Sequence, residues 1–243
     1  MRLAVVIPTL DEAEALPRLL EALARQQPPV APARVTVSDS GSSDGTAAWA
    51  AAAGCRVVRD GCVTGRGSAI RAGVAAALAA DPGAGAVWIL HADCLPPAGA
   101  AAAIEAALRD PGVVAGAFGQ RFNTSRCSRW QRHRLRFVVF CNRARYRLTG
   151  VYFGDQGLFV RPGALAAAGG VPGWDLFEDV ELVRRLRGVG RVALLPGRVT
   201  TSPRRFLANG CVRQLLKDAW MLLRHRLRGD GAGFARAYAR RRG

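Results

Sequence analysis

Short apolar runs alternate with helical patterns over the first 120 residues, and this alternation most constrains how the chain folds. Each run has the length of a buried strand, and each ends at proline, glycine or polar residues. The predicted strands are residues 3–7, 35–37, 55–58 and 86–90, and the predicted helices are 11–26, 46–53 and 65–80. Strands of about five residues that alternate with helices form βαβ units. We therefore predict an α/β fold with a mostly parallel sheet.

The second half of the chain has a different character. Residues 121–148 contain nine arginines, one histidine and no acid, interleaved with aromatic residues. A helix is predicted at 175–186, with acids in its first turn and arginines in its last, and a strand at 191–195. A basic region follows from Pro203 onward. No linker separates two domains, so we expect one domain with a basic C-terminal tail.

The net charge of +17 predicts an anionic partner. The charge alone does not decide whether this partner is nucleic acid, a membrane surface or a phosphorylated substrate. No apolar stretch reaches the roughly 20 residues that a membrane helix needs. The N-terminal apolar run is interrupted by Pro8 and Asp11, which is not typical of a signal peptide. The six cysteines form no CxxC pair, so reduced thiols in the cytosol are expected.

Polar motifs follow three of the predicted strands. The turn at 38–45 holds Asp39, Asp44, four serines and two glycines, and it suits either a ligand loop or a helix cap. The segment 65–73 opens a helix with glycines and carries Arg66 and Arg71, which suits anion binding but matches neither a Walker loop nor GxGxxG. Alone, each motif is a weak signal.

Two further groups carry potential chemistry. His91 and Asp93 lie at the end of the fourth predicted strand and face the same side of an extended chain. They could be metal ligands or ordinary strand-end residues. Glu178 and Asp179 are adjacent carboxylates beside aromatic residues, which suits a general base. Acids in the first turn of a helix are also favoured by its dipole, which leaves a purely structural interpretation open.

Taken in order, these segments resemble the family 2 glycosyltransferases with a GT-A fold. The matching motifs are VVIPTLDE at 5–12, DSGSSDGT at 39–46, GRG at 65–67, LHAD at 90–93 and FEDVE at 177–181. The GDQGLFVR segment at 154–161 resembles a bacterial subgroup with HAD in place of DXD. The resemblance implies a mostly parallel nucleotide-binding sheet with helices on both faces. It also implies a donor-binding half at 1–120, an acceptor half at 121–202 and a basic helical tail at 203–243.

The resemblance implies transfer of a sugar from a nucleotide-sugar donor, with a UDP- or GDP-sugar expected, through Mn²⁺ or Mg²⁺ and with inversion. Asp93 and His91 would hold the metal, and Asp179, beside Glu178, would be the base toward an acceptor hydroxyl. The residues implied for donor binding are Pro8, Thr9, Glu12, Asp39, Arg66, Arg71, Asp155 and Gln156. His91 stands where the family has a carboxylate, so the diphosphate would supply much of the metal coordination.

The basic stretches lie outside the donor motifs and predict a phosphorylated or lipid-linked acceptor, or peripheral contact with the inner face of the membrane. For residues 211–223, a packed helix with a solvated arginine face is favoured over contact with a membrane. We expect a cytoplasmic enzyme and no specific nucleic acid. The rival interpretations are a basic nucleic-acid- or membrane-binding protein without transfer activity, a nucleotidyltransferase and an inactive relative of the fold.

Overall fold

The computed structural model describes residues 1–59, 65–174 and 177–228 of the 243-residue chain. The strands are β1 (Leu3–Thr9), β2 (Val35–Asp39), β3 (Arg56–Arg59), β4 (Ala86–Ile89), β5 (Val113–Phe122), β6 (Phe159–Val160) and β7 (Arg191–Thr201). The helices are α1 (Leu16–Ala24), α2 (Thr46–Ala52), α3 (Arg66–Ala80), α4 (Ala100–Ala107), α5 (Arg129–Thr149), α6 (Pro162–Ala167), α7 (Glu178–Val189), α8 (Arg204–Asn209) and α9 (Cys211–Arg228).

The strands form one seven-stranded sheet in the order β3-β2-β1-β4-β6-β5-β7. β1 pairs in parallel with β2 and β4, β2 with β3, and β5 with β7. The short β6 is antiparallel to both β4 and β5. The prediction of an α/β fold with a mostly parallel sheet is therefore confirmed. The carboxyl ends of β1, β2 and β4 meet at one edge, where parallel sheets place their ligands.

Helices cover both faces of the sheet, because successive strand residues point to opposite sides. Val5 and Ile7 of β1 belong to the core under α1, α2 and α4, whose apolar side chains they contact. Ala4 and Val6 belong to the second core, under α3, α6 and α7. The indole of Trp88 is completely buried in the first core and donates from Nε1 to the carbonyl of Gly157 at 3.2 Å. This bond ties the strand that precedes His91 to the segment that contains Asp155.

Several elements differ from the sequence predictions. The 113–122 stretch is a long strand, β5, which the alternating pattern did not predict because glycines and Gln120 interrupt its apolar residues. The predicted helix at 175–186 begins at Glu178 and runs to Val189, while Asp175 lies outside the described residues. The strand predicted at 191–195 continues to Thr201, because it pairs with β5 along its length.

The basic stretch forms α5, which begins at a capping box between Ser128 and Gln131 and ends at Gly150 in a left-handed conformation. The region from Pro203 forms α8 and α9 as far as residue 228, and the remainder of the predicted tail lies outside the described residues. No helix within the described ranges combines the length and hydrophobicity needed to cross a bilayer. The described cysteines carry free thiols, and Cys62 lies outside the described residues.

Candidate functional site

The ends of β1 and β2 bring Thr9 and Asp39 side by side in the sheet register. Thr9 Oγ1 donates to Asp39 Oδ1 at 3.1 Å, the Ser42 amide donates to Oδ2 at 3.1 Å, and Arg59 Nε donates to Oδ2 at 3.3 Å. The Ser42 hydroxyl also donates to the carboxylate. Burial acts to raise the pKa of Asp39, but these hydrogen bonds outweigh it and the pKa lies below its usual value. Asp39 is therefore a fixed, ionised acceptor.

The serine-rich turn is fastened to the loop after β1. The Asp11 amide donates to Ser42 Oγ at 2.9 Å, and the Ser43 amide donates to Asp11 Oδ1 at 2.8 Å. The Glu12 amide donates to Thr46 Oγ1 at 3.0 Å. The two loops thus form a single rim beside Asp39. Pro8 is half-buried in this rim, and Glu12 lies 3.8 Å from the guanidinium of Arg204 on α8.

Arg66 begins α3 and faces the beginning of α7. Its Nε donates to Glu178 Oε1 at 2.5 Å, and its Nη2 donates to Asp179 Oδ2 at 3.5 Å. Gly67 permits this approach, because a Cβ at that position would lie 1.9 Å from the carbonyl oxygen of Trp174. The glycine predicted to admit a phosphate therefore serves to pack α3 against the segment before α7.

Arg71 lies one turn further along α3 and is exposed. Its Nη1 is 2.6 Å from the position that a Cβ on Gly173 would occupy, so the guanidinium lies against that loop. Arg66 and Arg71 therefore occupy different surroundings, although the sequence predicted a shared anion-binding role for them.

His91 and Asp93 follow β4 at the same edge. One ligand atom each from His91, Asp93 and Cys94 lie within 4.8 Å of one another. The Nε2 of His91 is buried and has no hydrogen-bond partner among the described residues. Burial, with a smaller contribution from the nearby Arg66, lowers the pKa of His91 to about 3, so its imidazole is neutral. A neutral imidazole with a free nitrogen is a competent metal ligand.

Cys94 is a poorer ligand than its position indicates. Its Sγ lies 3.5 Å from Asp93 Oδ1, and burial together with the adjacent carboxylates raises the pKa of the thiol well above its usual value. The thiol therefore stays protonated, whereas metals bind the thiolate. The donor set of this cluster is an imidazole and a carboxylate, which fits a hard divalent cation whose remaining ligands are oxygens from a bound anion.

Asp155 lies in a 3-10 turn, Gly154–Gln156, and accepts a 2.5 Å hydrogen bond from Gln120 Nε2 of β5. Gln120 Oε1 in turn accepts from Asn142 Nδ2 of α5 at 2.9 Å. Burial raises the pKa of Asp155 to about 6; Arg145 opposes this shift, while Asp179 and Asp93 add to it. Asp155 is therefore a half-buried carboxyl whose pKa of about 6 lies close to neutral pH.

The Gln156 side chain is hydrogen-bonded to the backbone at both ends of its amide. Its Nε2 donates to the Phe118 carbonyl at 2.8 Å, and its Oε1 accepts from the Phe153 amide at 3.0 Å. The side chain is completely buried, and both ends of its amide hold the backbone of the turn. This arrangement does not support the predicted contact between Gln156 and a donor sugar.

Glu178 and Asp179 are both buried at the start of α7, and Gly154 lies against Asp179. The Gly154 amide donates to Asp179 Oδ2 at 2.6 Å, and the Val180 amide donates to Oδ1 at 2.8 Å. A Cβ on Gly154 would lie 2.7 Å from His91 Nε2 and 3.3 Å from Asp179 Oδ2. The imidazole and this carboxylate thus converge on the same bare face of Gly154.

The Glu178 carboxyl has unequal surroundings at its two oxygens. Oε1 accepts from Arg66, whereas Oε2 is buried without a hydrogen-bond partner among the described residues. Burial raises the pKa of Glu178; Arg66 opposes this shift and Asp179 adds to it. Of the two predicted acids, Asp179 is the better solvated by backbone amides and Glu178 is the one held by the arginine.

Sequence reasoning missed the residues that α5 and β5 contribute. Arg145 of α5 donates to the Val151 carbonyl at 2.7 Å, and its Cζ lies 3.7 Å from the centre of the Phe153 ring. Its charge acts on both Asp155 and Asp179. Nothing in the sequence distinguishes Arg145 from its neighbouring arginines, but Gln120 is a detectable signal as a lone polar residue within an apolar stretch.

The site therefore has two parts along one sheet edge. The first is the rim formed by Pro8, Thr9, Glu12 and Asp39. The second is the charged cluster, which we define as Arg66, His91, Asp93, Asp155, Glu178 and Asp179. Four carboxylates and two nearby arginines, Arg66 and Arg145, give the cluster an excess of negative charge that attracts a cation.

The comparisons with known proteins agree with this architecture. A sequence model described as "Glycosyl transferase family 2" matches residues 4–167. The mannosyltransferase PcManGT from Pyrobaculum calidifontis, solved with GDP-Man and Mn²⁺, superposes with a TM-score of 0.60 at 23% identity, covering 83% of this chain and 56% of that one. No curated protein matches the chain significantly.

TarS 1–349 from S. aureus has a TM-score of 0.59 at 16% identity, and its complex with UDP has a TM-score of 0.62 at the same identity. Each TarS comparison covers 85% of this chain and 62% of that one. At these identities the similarity shows the fold alone. The chain therefore spans less than two thirds of the length of each of these solved chains.

Proposed function

This chain belongs to glycosyl transferase family 2 and has the GT-A fold, and from that premise we propose that it transfers a sugar from a nucleotide-sugar donor to an acceptor, as an enzyme of class EC 2.4. The observation that carries the proposal is the charged cluster around Gly154, at the carboxyl edge of the parallel strands. Residues from β4, α3, the Gly154–Gln156 turn and α7 meet there. A purely structural fold has no need to gather four carboxylates at one edge, with Glu178 and Asp179 buried.

His91 and Asp93 are the residues that would hold Mn²⁺ or Mg²⁺. The free Nε2 of His91 and the partly exposed Asp93 carboxylate fit an ion that also takes ligands from a diphosphate. Such an ion, when bound, neutralises the charge that develops on the leaving diphosphate. With one protein carboxylate and one imidazole, binding of the ion depends on the donor.

The donor nucleotide is proposed to lie along the rim, with Pro8, Thr9 and Glu12 lining its pocket and Asp39 accepting from the base. A fixed, ionised carboxylate suits a ring N–H such as that of uracil or guanine, so a UDP- or GDP-sugar is expected. Asp155 is assigned to the donor sugar. Arg71 is assigned to the outer part of the donor site, whereas Gln156 and Gly67 support the backbone.

Asp179 is proposed as the base, with Glu178 as a positioning residue that holds Arg66. In the reaction the acceptor oxygen bonds to the anomeric carbon while the bond from that carbon to the diphosphate breaks. The acceptor proton passes to Asp179, and the nucleoside diphosphate leaves from the opposite face, which inverts the configuration. Arg66 and the backbone amides of Gly154 and Val180 donate to Asp179 and orient its carboxylate for this step.

The segments at 90–93 and 154–161 resemble a bacterial subgroup of the family. We propose that the chain is of the subgroup with HAD and GDQGLF segments. In this scheme residues 1–120 bind the donor, residues 121–202 bind the acceptor, and residues 203–243 form a basic helical region. The acceptor is proposed to be phosphorylated or lipid-linked, and the site of action to be the cytoplasm at the inner face of the membrane.

The test is a thermal-shift panel of UDP-, GDP- and dTDP-sugars, each with and without Mn²⁺. A bound donor raises the melting temperature by mass action, and we expect one nucleotide class to do so in a Mn²⁺-dependent manner. Asp93→Ala should abolish the Mn²⁺-dependent part of the rise in melting temperature. Asp179→Asn should still bind the donor but should not transfer its sugar to the acceptor. Glu21→Ala, an exposed acid on α1, is the matched control. A protein that ignores every donor but binds RNA in a salt-sensitive manner would instead be a basic binding protein.

A further inference from the structure

The side of α5 that faces away from the protein carries an apolar stripe. Trp130, Phe137, Phe140 and Leu148 are 66%, 53%, 68% and 85% exposed. Their spacings of seven, three and eight residues put them on one face of the helix. The opposite face is packed, with Leu135, Val138 and Tyr146 buried. Exposed aromatic residues in line on one helix are uncommon on a monomeric surface and mark a contact site.

A second stripe lies on α9, which packs beside α5 through Leu215 and Cys211. Its members are Val212, Leu216, Trp220 and Leu223, each more than half exposed. Together the two helices hold eight of the twelve exposed large hydrophobic residues in the described part of the chain. The apolar exposure is therefore concentrated on these two helices rather than scattered.

The charges around the α5 stripe have a single sign. Arg129, Arg132, Arg134 and Arg136 are exposed beside the aromatic residues, and residues 121–148 contain no acid. A second copy of this chain would bring the same positive charges against them, which disfavours a symmetric dimer through this face. Aromatic and leucine side chains flanked by arginines instead complement an anionic lipid surface, where the arginines meet headgroups and the apolar stripe enters the interface.

We propose that α5, with α9 beside it, docks the protein on an anionic bilayer. The inner face of α5 carries Asn142 and Arg145, which reach Asp155 through Gln120 and through charge. A helix with its side chains is about 10–12 Å across, so docking would hold the charged cluster within about one helix diameter of the lipid. This inference rests on the proposed function in one respect, since a protein docked in this way would meet a lipid-linked acceptor at the membrane.

The test is co-flotation of the full chain with vesicles of equimolar phosphatidylglycerol and phosphatidylcholine, against vesicles of phosphatidylcholine alone. We expect binding to the anionic vesicles only, weakened by high salt. The double variant Phe137→Ala/Phe140→Ala should lose affinity by about tenfold or more, because it removes the apolar contact and keeps every arginine. Trp49→Ala removes an exposed aromatic from α2 and is the matched control, with unchanged binding expected.

Three results would overturn the proposal. One is binding of the double variant to anionic vesicles with the same affinity as the wild-type protein. Vesicle binding would then be nonspecific charge attraction, to which the arginines after residue 228 also contribute. Another is the absence of vesicle binding by the wild-type protein. The third is a wild-type dimer that the double variant dissociates. Donor-induced stabilisation is measured on the same samples: if the wild-type protein floats but no donor stabilises it, the proposed transfer fails and the docking surface stands.

Discussion

Arg66 Nε donates to Glu178 Oε1 at 2.5 Å across 112 residues of chain, and this ion pair joins the N-terminus of α3 to that of α7. Glu178 is almost completely buried, whereas about a third of Arg66 is exposed. Arg66 also reaches Asp179, so one guanidinium compensates two adjacent carboxylates. The charge of Arg66 therefore opposes the effect of burial, which raises the pKa of Glu178.

Arg66→Ala should destabilise the protein by about 1–3 kcal/mol, because it leaves a buried carboxyl without its donor. The exposed part of Arg66 limits the effect, since solvent screens that part of the interaction. Urea denaturation of the two proteins measures the difference. Arg66→Lys should recover only part of the loss, because an ammonium group cannot contact both carboxylates in the same fork geometry. An unchanged free energy of unfolding in Arg66→Ala would show that the Arg66–Glu178 ion pair does not stabilise the protein.

Glu178 should make the stability depend on pH. Its pKa is raised from 4.5 to about 7, so between these pH values the folded protein binds more protons than the unfolded chain. The contribution is complete below pH 4.5 and is lost as the pH rises toward 7. Glu178→Gln removes this titration, so its melting temperature should fall less between pH 5 and pH 7. Asp155 contributes a weaker slope of the same sign, which stays in the variant. Parallel curves for the two proteins would refute the assignment.

Gly154→Ala should disrupt the proposed metal site at His91 and Asp93, because the added methyl group would lie 2.7 Å from His91 Nε2. The imidazole must then move, and overpacking of this kind costs about 1–3 kcal/mol. We expect loss of Mn²⁺-dependent donor stabilisation in thermal-shift measurements. Gly163→Ala is the matched control, since a Cβ there meets nothing within 4 Å. An unchanged Mn²⁺-dependent stabilisation in Gly154→Ala would show that His91 is not a ligand of the metal ion.

Gln120→Ala should lower both stability and transfer. It removes the donor to Asp155 and leaves the Asn142 amide without its acceptor, at a cost of about 1–3 kcal/mol. Gln120→Glu keeps the volume but replaces the donor with a second carboxylate, so the pKa of Asp155 should rise further. Steady-state kinetics against pH measure this as a shift of the activity profile to higher pH. A profile unchanged in Gln120→Glu would show that the titration of Asp155 does not govern transfer.

The alternating strands and helices of the first 90 residues were predicted from periodicity alone, and so was the edge at which Asp39, Arg66 and His91 gather, whereas α4 was not predicted. These predictions were possible because burial of a strand or a helix face leaves a local pattern in the sequence. β5 and β6 leave no such pattern: β6 is two residues long, and glycines and Gln120 interrupt β5. The resemblance to the family was also recognisable from the order of the motifs, which contain Asp93, Asp155 and Asp179.

The sequence by itself thus determined the α/β fold class, the basic charge and the polar motifs that follow the strands. Only the tertiary structure decided which of those groups meet. Three contacts depend on strand order and on the close approaches at Gly67 and Gly154. Arg66 binds Glu178, the Gln156 side chain bonds to backbone groups, and His91 and Asp179 converge on the same face of Gly154. These contacts join residues up to 112 positions apart. The hydrophobic pattern specifies which face of an element is buried, whereas side-chain partners are selected by three-dimensional packing that no local pattern records.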